Sequence, residues 1–263
     1  DTHCILGEEL LKRSNIFKDL APVVRNHHKK WKEWNETLDN LVALESQILH
    51  IADYIERIIK RNTFILIQSD GIIDKIKNLS NTFFHPFLVE SFVDIAKKEE
   101  FWLDVTSSRI FSLLLNSGPY ENYDIEIKDI IEISEFFRNI IDFKSHFTAT
   151  HSAGVSACAK ILAEQFGFSS IDLILMEVAG NLHDIGKLAI PNEILEKPGK
   201  LTKEEFAIIK SHTYYTYSII NTIGGLQTIA EWAAYHHENL NGLGYPFHCN
   251  SSNLSTGSRI MAV

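Results

Sequence analysis

Six side chains in the chain could do metal chemistry together: His151, the doublet His183-Asp184, His212 and the doublet His236-His237. Imidazole nitrogens combined with a carboxylate suit Fe, Mn, Zn, Ni or Co better than Ca or Mg. Neighbours on a helix point about 100° apart, so one ion cannot easily take both members of a doublet in the same way. A doublet at a helix end is better suited to serving two ions side by side, with the two oxygens of Asp184 as the natural bridge. Two such ions roughly 3.5–4 Å apart activate a water and stabilise both oxygens of an in-line phosphoryl displacement.

His50, His85, His146 and His248 are read as ordinary surface or satisfied core residues, the usual fate of a single histidine. His183-Asp184 differs because it lies inside Gly180-Asn181-Leu182-His183-Asp184-Ile185-Gly186-Lys187. The flanking glycines allow close backbone approach, and burying His, Asp and Lys together is costly unless they satisfy one another or a metal. Lys187 follows Asp184 by three residues, so a continuing helical turn puts both on one side. There it could contact a substrate phosphate or help protonate a leaving oxygen. Asp184 and Lys187 are therefore the catalytic candidates. After His236-His237 comes Gly242-Leu243-Gly244-Tyr245-Pro246, a rigid turn beside the doublet. Tyr245 presents an aromatic face to a nucleobase, and such stacking contributes about 1–3 kcal/mol per base.

The elements that must position these groups read as helices. Apolar residues recur at helical spacing over 38–59, 87–101, 125–141, 155–166 and 171–182. Thr202-Lys203-Glu204-Glu205 is a capping box ahead of Phe206–Ile220, with Gly224-Gly225 as a stop. Gly167 closes a helix that begins near His151. Strand-like alternation is nowhere sustained, Phe64-Ile65-Leu66-Ile67 being too short to weigh much. The expected fold class is all-α, with the candidate ligands on facing elements of a helical bundle.

The turn formers Asn116-Ser117-Gly118-Pro119 mark a module boundary, dividing the chain into 1–118 and 119–263. An internal repeat crosses it. His3 precedes His27-His28 by 24 residues, as His212 precedes His236-His237. Ser46–Ile51 then aligns with Ser258–Val263, at 18 residues from the paired histidines in the first copy and 21 in the second. On this alignment the chain is expected to begin midway through one module and to end just before the second is complete, short of the counterpart of Asp53.

With 263 residues, 45% hydrophobic and 22% charged, the composition is that of a packed globular protein. A net charge of -9 argues against a nonspecific duplex nucleic-acid binder, which needs clustered Lys and Arg. No apolar run approaches the roughly 18 residues of a membrane span. Three scattered cysteines do not make a disulfide framework, which suggests a reducing, cytoplasmic setting.

Residues 120–263 closely resemble the HD-GYP family, a branch of the HD phosphohydrolases. The resemblance rests on His183-Asp184-Ile185-Gly186-Lys187, the Pro191–Thr202 stretch, Glu205, Lys210, His212 and the His236–Pro246 stretch. The first module is more loosely similar, as the C-terminal part of a degenerate HD-type module in tandem with the second. It keeps His27-His28 and Ala52-Asp53 but has Lys29-Lys30-Trp31-Lys32 where a GYP loop would start.

The resemblance implies an HD-domain bundle that hydrolyses cyclic di-GMP, or a related cyclic dinucleotide, at a centre usually of iron or manganese. Carried over by position, His151, His183, Asp184, His212, His236 and His237 would be metal ligands, Lys187 would assist at the phosphate, and Gly242, Gly244, Tyr245 and Pro246 would line the pocket. Relatives with a third metal carry an acid four positions before the first histidine; here Phe147 stands there, so two metals are expected. Asn241 replaces the usual Asp of the motif. A last carboxylate ligand is expected past Val263. His3, His27, His28 and Asp53 would be a vestigial metal site in a regulatory or dimerising relative, or relics on a scaffold. A homodimer or a signalling partner fits such a role. A phosphohydrolase of another nucleotide and a catalytically inactive cyclic-dinucleotide sensor are the competing functions.

Overall fold

The computed structural model describes residues 2–118, 125–144 and 151–263. Pro119 of the expected boundary, His146 and Phe147 lie outside them. Every regular element among the described residues is helical, and strand-like pairing is confined to two isolated bridges, Ser80 with Phe84 and Asn241 with Asn250. The chain divides into two compact units, Asp1–Asp124 and Ile125–Val263. The turn cluster had put the division at 118/119, where helix Ile110–Ser117 ends.

The first unit contains α1 (Thr2–Leu11), α2 (Ala21–Asn26), α3 (Leu41–Ile58), α4 (Ile65–Asn78), α5 (Pro86–Ala96), α6 (Glu99–Val105) and α7 (Ile110–Ser117). α3 starts at Leu41, three residues later than its apolar pattern, because the Asn40 side chain accepts from Ala43 N and caps the helix there. It buries Ala43, Gln47, Ile51 and Ile55, a stripe at i+4 spacing. The apolar stretch 87–101 forms two helices, not one. Lys98 adopts extended backbone, and the indole N–H of buried Trp102 donates to Ala96 O at 2.7 Å, folding α6 back onto the end of α5. Phe64–Ile67 opens α4 and is not a strand. Ile51, Ile55, Ile72, Ile76, Phe84 and Trp102 are central to this unit's core.

The second unit contains α8 (Ile127–Lys144), α9 (His151–Gln165), α10 (Ser170–Leu182), a 3-10 turn at Ile185–Ala189, α11 (Asn192–Leu195), α12 (Lys203–Asn221), α13 (Gln227–Ala234), a second 3-10 turn at Tyr235–His237, and α14 (Thr256–Met261). The capping box at Thr202 forms as the sequence requires, with Thr202 and Glu205 each accepting from the other's backbone N–H. α10 is buried all round over its last five residues, Val178–Leu182, so it is the central element rather than a surface one. Within it, Asn181 is satisfied from α8: its amide donates to Ser134 Oγ at 2.9 Å, and Arg138 donates to its Oδ1 at 2.9 Å. Met176, Ile220, Ile229, Trp232 and Ile260 close the core around it. No helix among the described residues is long and apolar enough to cross a membrane.

Candidate metal centre

Five elements of the second unit bring the sequence candidates together. His183 ends α10 and Asp184 begins the following 3-10 turn, so the doublet sits where the chain leaves the core. His212 lies within α12, His236-His237 form the 3-10 turn after α13, and His151 opens α9. His183, Asp184 and His212 are buried and His236 is half-buried, whereas His151 and His237 are exposed.

The geometry is that of two triads sharing a carboxylate. His151, His183 and Asp184 place ligand atoms within 4.8 Å of one another, and so do His212, His236 and His237. Asp184 faces both groups. Its Oδ2 lies 3.1 Å from His183 Nε2, and its Oδ1 lies 3.4 Å from His212 Nε2 and 4.0 Å from His236 Nε2. Lys187 Nζ donates to Asp184 Oδ2 at 2.6 Å, from the face its spacing implies.

Second contacts aim the rings. His183 Nδ1 lies 2.8 Å from Gly180 O, His212 Nδ1 2.6 Å from Ile209 O, and His236 Nδ1 2.7 Å from Ala233 O. Each partner is the carbonyl three residues earlier. A ring that donates from Nδ1 presents its Nε2 lone pair outward, the arrangement that metal-binding histidines use. Burial drives the pKa values of His212 and His236 down, His236 far below the ordinary range with help from the charge of His183. Burial, then His212, pushes His237 down to about 4. These imidazoles are neutral donors at neutral pH. Burial opposes the charge on Asp184 too, but His183 and Lys187 outweigh it and hold the carboxyl well below the usual range. The same pairing raises His183 despite its burial. One ionised carboxylate beside the neutral imidazoles of His212, His236 and His237 fits divalent cations.

The fold positions this set by close backbone approach. A Cβ on Gly186 would overlap the His212 carbonyl oxygen, and one on Gly180 would come 2.5 Å from Ser156 Cα. α12 thus lies directly against the turn that carries Asp184. The Thr216 hydroxyl stitches the two, accepting from Gly186 N at 3.1 Å and donating to His183 O at 2.9 Å. Lys144, at the end of α8, donates to Leu188 O and Ile190 O and caps the far end of the turn.

The loop with Gly242, Gly244, Tyr245 and Pro246 folds over His237. The Tyr245 ring lies 4.9 Å from the His237 ring at 31°, so one aromatic face already rests on an imidazole. Phe206 and Lys210, both on α12, flank Tyr245, with Lys210 Nζ 6.0 Å from its ring centre. Gly244 is required by crowding: a Cβ would lie 2.5 Å from His237 O and Asn239 N. Beside the imidazoles a cavity of about 940 Å³ opens, lined by His151, His183 and His236 and by apolar side chains such as Val155, Leu162 and Ile260.

Sequence reasoning gave no role to Glu238, although it adjoins the doublet. Its side chain is 2% exposed and accepts from Phe247 N at 2.7 Å and Cys249 N at 3.0 Å, holding the loop closed on itself. A charged residue inside a turn rich in glycine is a weak signal without coordinates. Glu238→Ala orphans both N–H groups and should destabilise the second unit by about 1–3 kcal/mol in denaturant melts. An unchanged midpoint would mean that water replaces the carboxylate at no cost. His50, read as an ordinary surface or satisfied core residue, is buried in the first unit, but its Nδ1 has no hydrogen-bond partner.

Comparison with known proteins points to the second unit. The HD domain profile matches residues 135–263. The chain is 29% identical to 3'3'-cGAMP-specific phosphodiesterase 1 of Vibrio cholerae, over 99% of this chain and 63% of that protein. It is 34% identical to the cyclic di-GMP phosphodiesterase of Thermotoga maritima, over 70% of this chain and 47% of that protein. The chain therefore spans about half to two thirds of these relatives. In fold it is similar to a crystal structure of a cyclic GMP-AMP specific phosphodiesterase of Vibrio cholerae, with a TM-score of 0.63 at 21% identity over 99% of this chain and 70% of the other.

Proposed function

Because the chain belongs to the HD-GYP family of HD-domain proteins, we propose that it hydrolyses a phosphodiester bond of a cyclic dinucleotide. The observation that carries this reading is the carboxylate of Asp184 with one oxygen turned to each imidazole group. His151 and His183 would hold one divalent transition-metal ion, His212, His236 and His237 a second, and Asp184 both. Iron or manganese is the expected pair, with zinc, nickel and cobalt compatible with the same donors. Bound there, the ions supply Lewis acidity at the phosphoryl group.

The protein's own groups do the rest. The anchored Nδ1 atoms hold the imidazoles in one tautomer. Lys187, half-buried and bonded to Asp184, would neutralise charge on a phosphate held at the centre or protonate the departing oxygen. The loop from Gly242 to Pro246 packs on His237 without lining the cavity beside His151, and the Phe206-Lys210-Tyr245 edge would offer an aromatic and a positive charge to a base and its phosphate.

The named relatives divide over the nucleotide. The one aligned with 99% of this chain carries 3'3'-cGAMP in its name, and the one aligned with 70% carries cyclic di-GMP. Cyclic di-GMP is the substrate expected from the sequence. The deciding experiment incubates the metal-loaded protein with each compound, and separately with mononucleotides, and follows products by chromatography. A linear dinucleotide or mononucleotide released from either cyclic compound supports the proposal, and the faster one names the substrate. Binding without turnover makes the protein a sensor; turnover of mononucleotides alone makes it a phosphohydrolase of another class. In the same assay Lys187→Ala should keep its metal and lose about 100-fold in turnover, the scale of a positioned acid. Loss of metal instead would make its role structural.

A further inference from the structure

We propose that the first unit binds a single divalent transition-metal ion of its own, zinc by its donors, at His3, Cys4, His27 and His28. The four offer one ligand atom each within 4.8 Å of the others. His3 Nε2 lies 3.0 Å from His28 Nε2 and 3.3 Å from His27 Nε2, and Cys4 Sγ lies 3.6 Å from His3 Nε2. A tetrahedral ion with bonds of about 2.0–2.3 Å sets its ligands roughly 3.3–3.8 Å apart, so these contacts are close to the edges of such a site. One outer contact matches as well: His27 Nδ1 lies 2.6 Å from Val24 O, again the carbonyl three residues earlier.

The site reuses the spacing of the second unit with different chemistry. In both units the first histidine and the one 24 residues later meet Nε2 to Nε2 at 3.3 Å. Where His212 is followed by Thr213, however, His3 is followed by Cys4, which is buried. No carboxylate among the described residues of the first unit joins this cluster; Asp53 Oδ2 pairs with Arg57 Nε at 3.2 Å instead. Without a bridging oxygen the group closes around one ion, and a thiolate with three imidazoles favours zinc over the harder cations. The ion would tie α1 to α2, and its exposed ligand His3 leaves a path for entry.

The test uses the full chain with the second unit's bridging carboxylate and one ligand of its histidine triad removed, Asp184→Ala with His236→Ala, equilibrated with one equivalent of Zn(II) alone and analysed for bound metal. About one equivalent should remain, and adding His27→Ala should take it close to zero with helix content unchanged. Loading the same background with Co(II) should give a thiolate-to-cobalt charge-transfer band that Cys4→Ser abolishes. If the doubly substituted chain does not fold, His27→Ala in the otherwise unchanged protein should lose one equivalent relative to the parent. No zinc in the Asp184→Ala, His236→Ala protein, zinc that survives His27→Ala, or a band that survives Cys4→Ser would each overturn the assignment. Failure of the phosphodiesterase reading would appear separately, as a parent protein that turns over no cyclic dinucleotide.

Discussion

Asp184→Asn should strip metal from the second unit and lower turnover by at least about 100-fold, since losing even an outer partner of a metal ligand costs 10–100-fold. The substitution keeps the shape of the side chain and removes its charge. Asp184 is 2% exposed and is the carboxylate whose two oxygens reach both imidazole groups. With an amide there, five imidazoles and the Lys187 ammonium remain at the centre without an anion, and a divalent cation loses its charge partner. Helix content should be unchanged, because Asp184 makes no cap and its partners are His183 and Lys187. Elemental analysis and a turnover assay on the purified variant decide the matter. Full metal content with full turnover would remove Asp184 from the centre.

Gly186→Ala should have the largest effect of any single methyl group in the second unit. The added carbon would overlap the His212 carbonyl oxygen and come 2.8 Å from Thr216 N, so the 3-10 turn and α12 must part. Overpacking of this kind costs about 1–3 kcal/mol, and a unit of this size should melt several degrees lower. The same movement separates Asp184 from His212, so metal affinity should fall together with stability. Gly71→Ala, within α4 and with nothing near its added carbon, provides the contrast. Relief of helix glycine there should be neutral or stabilising by roughly 0.5–1 kcal/mol. Equal melting of the two variants would mean that the turn tolerates the displacement.

Much of this arrangement was legible before any coordinates. The doublet His183-Asp184 between glycines announced both burial and close approach, and the structure gives Gly180 and Gly186 those contacts. In each unit the histidines spaced 24 residues apart meet Nε2 to Nε2. Helical periodicity located α8, α9 and α10 because each buries one stripe or, for α10, all of its final turns, and the capping box at Thr202 located α12. Other features had no such signal. α1 and α4 escaped notice because their apolar faces are interrupted, at Gly7 in one and by Gln68, Ser69 and Asp70 in the other. The break between α5 and α6 turns on the backbone of one lysine, a choice made by the packing of Trp102. Glu238 and Lys144 act through main-chain groups distant in sequence, which no local pattern encodes.

The rings of His183, His212, His236 and His27 are all steadied by a carbonyl of their own helical turn. Many metal-binding histidines depend instead on a carboxylate from elsewhere in the fold, which one substitution can delete. Here the support is peptide backbone, present whatever side chains surround it. The orientation of these donors is thereby insulated from sequence drift nearby, and only an event that unwinds the turn itself can release them.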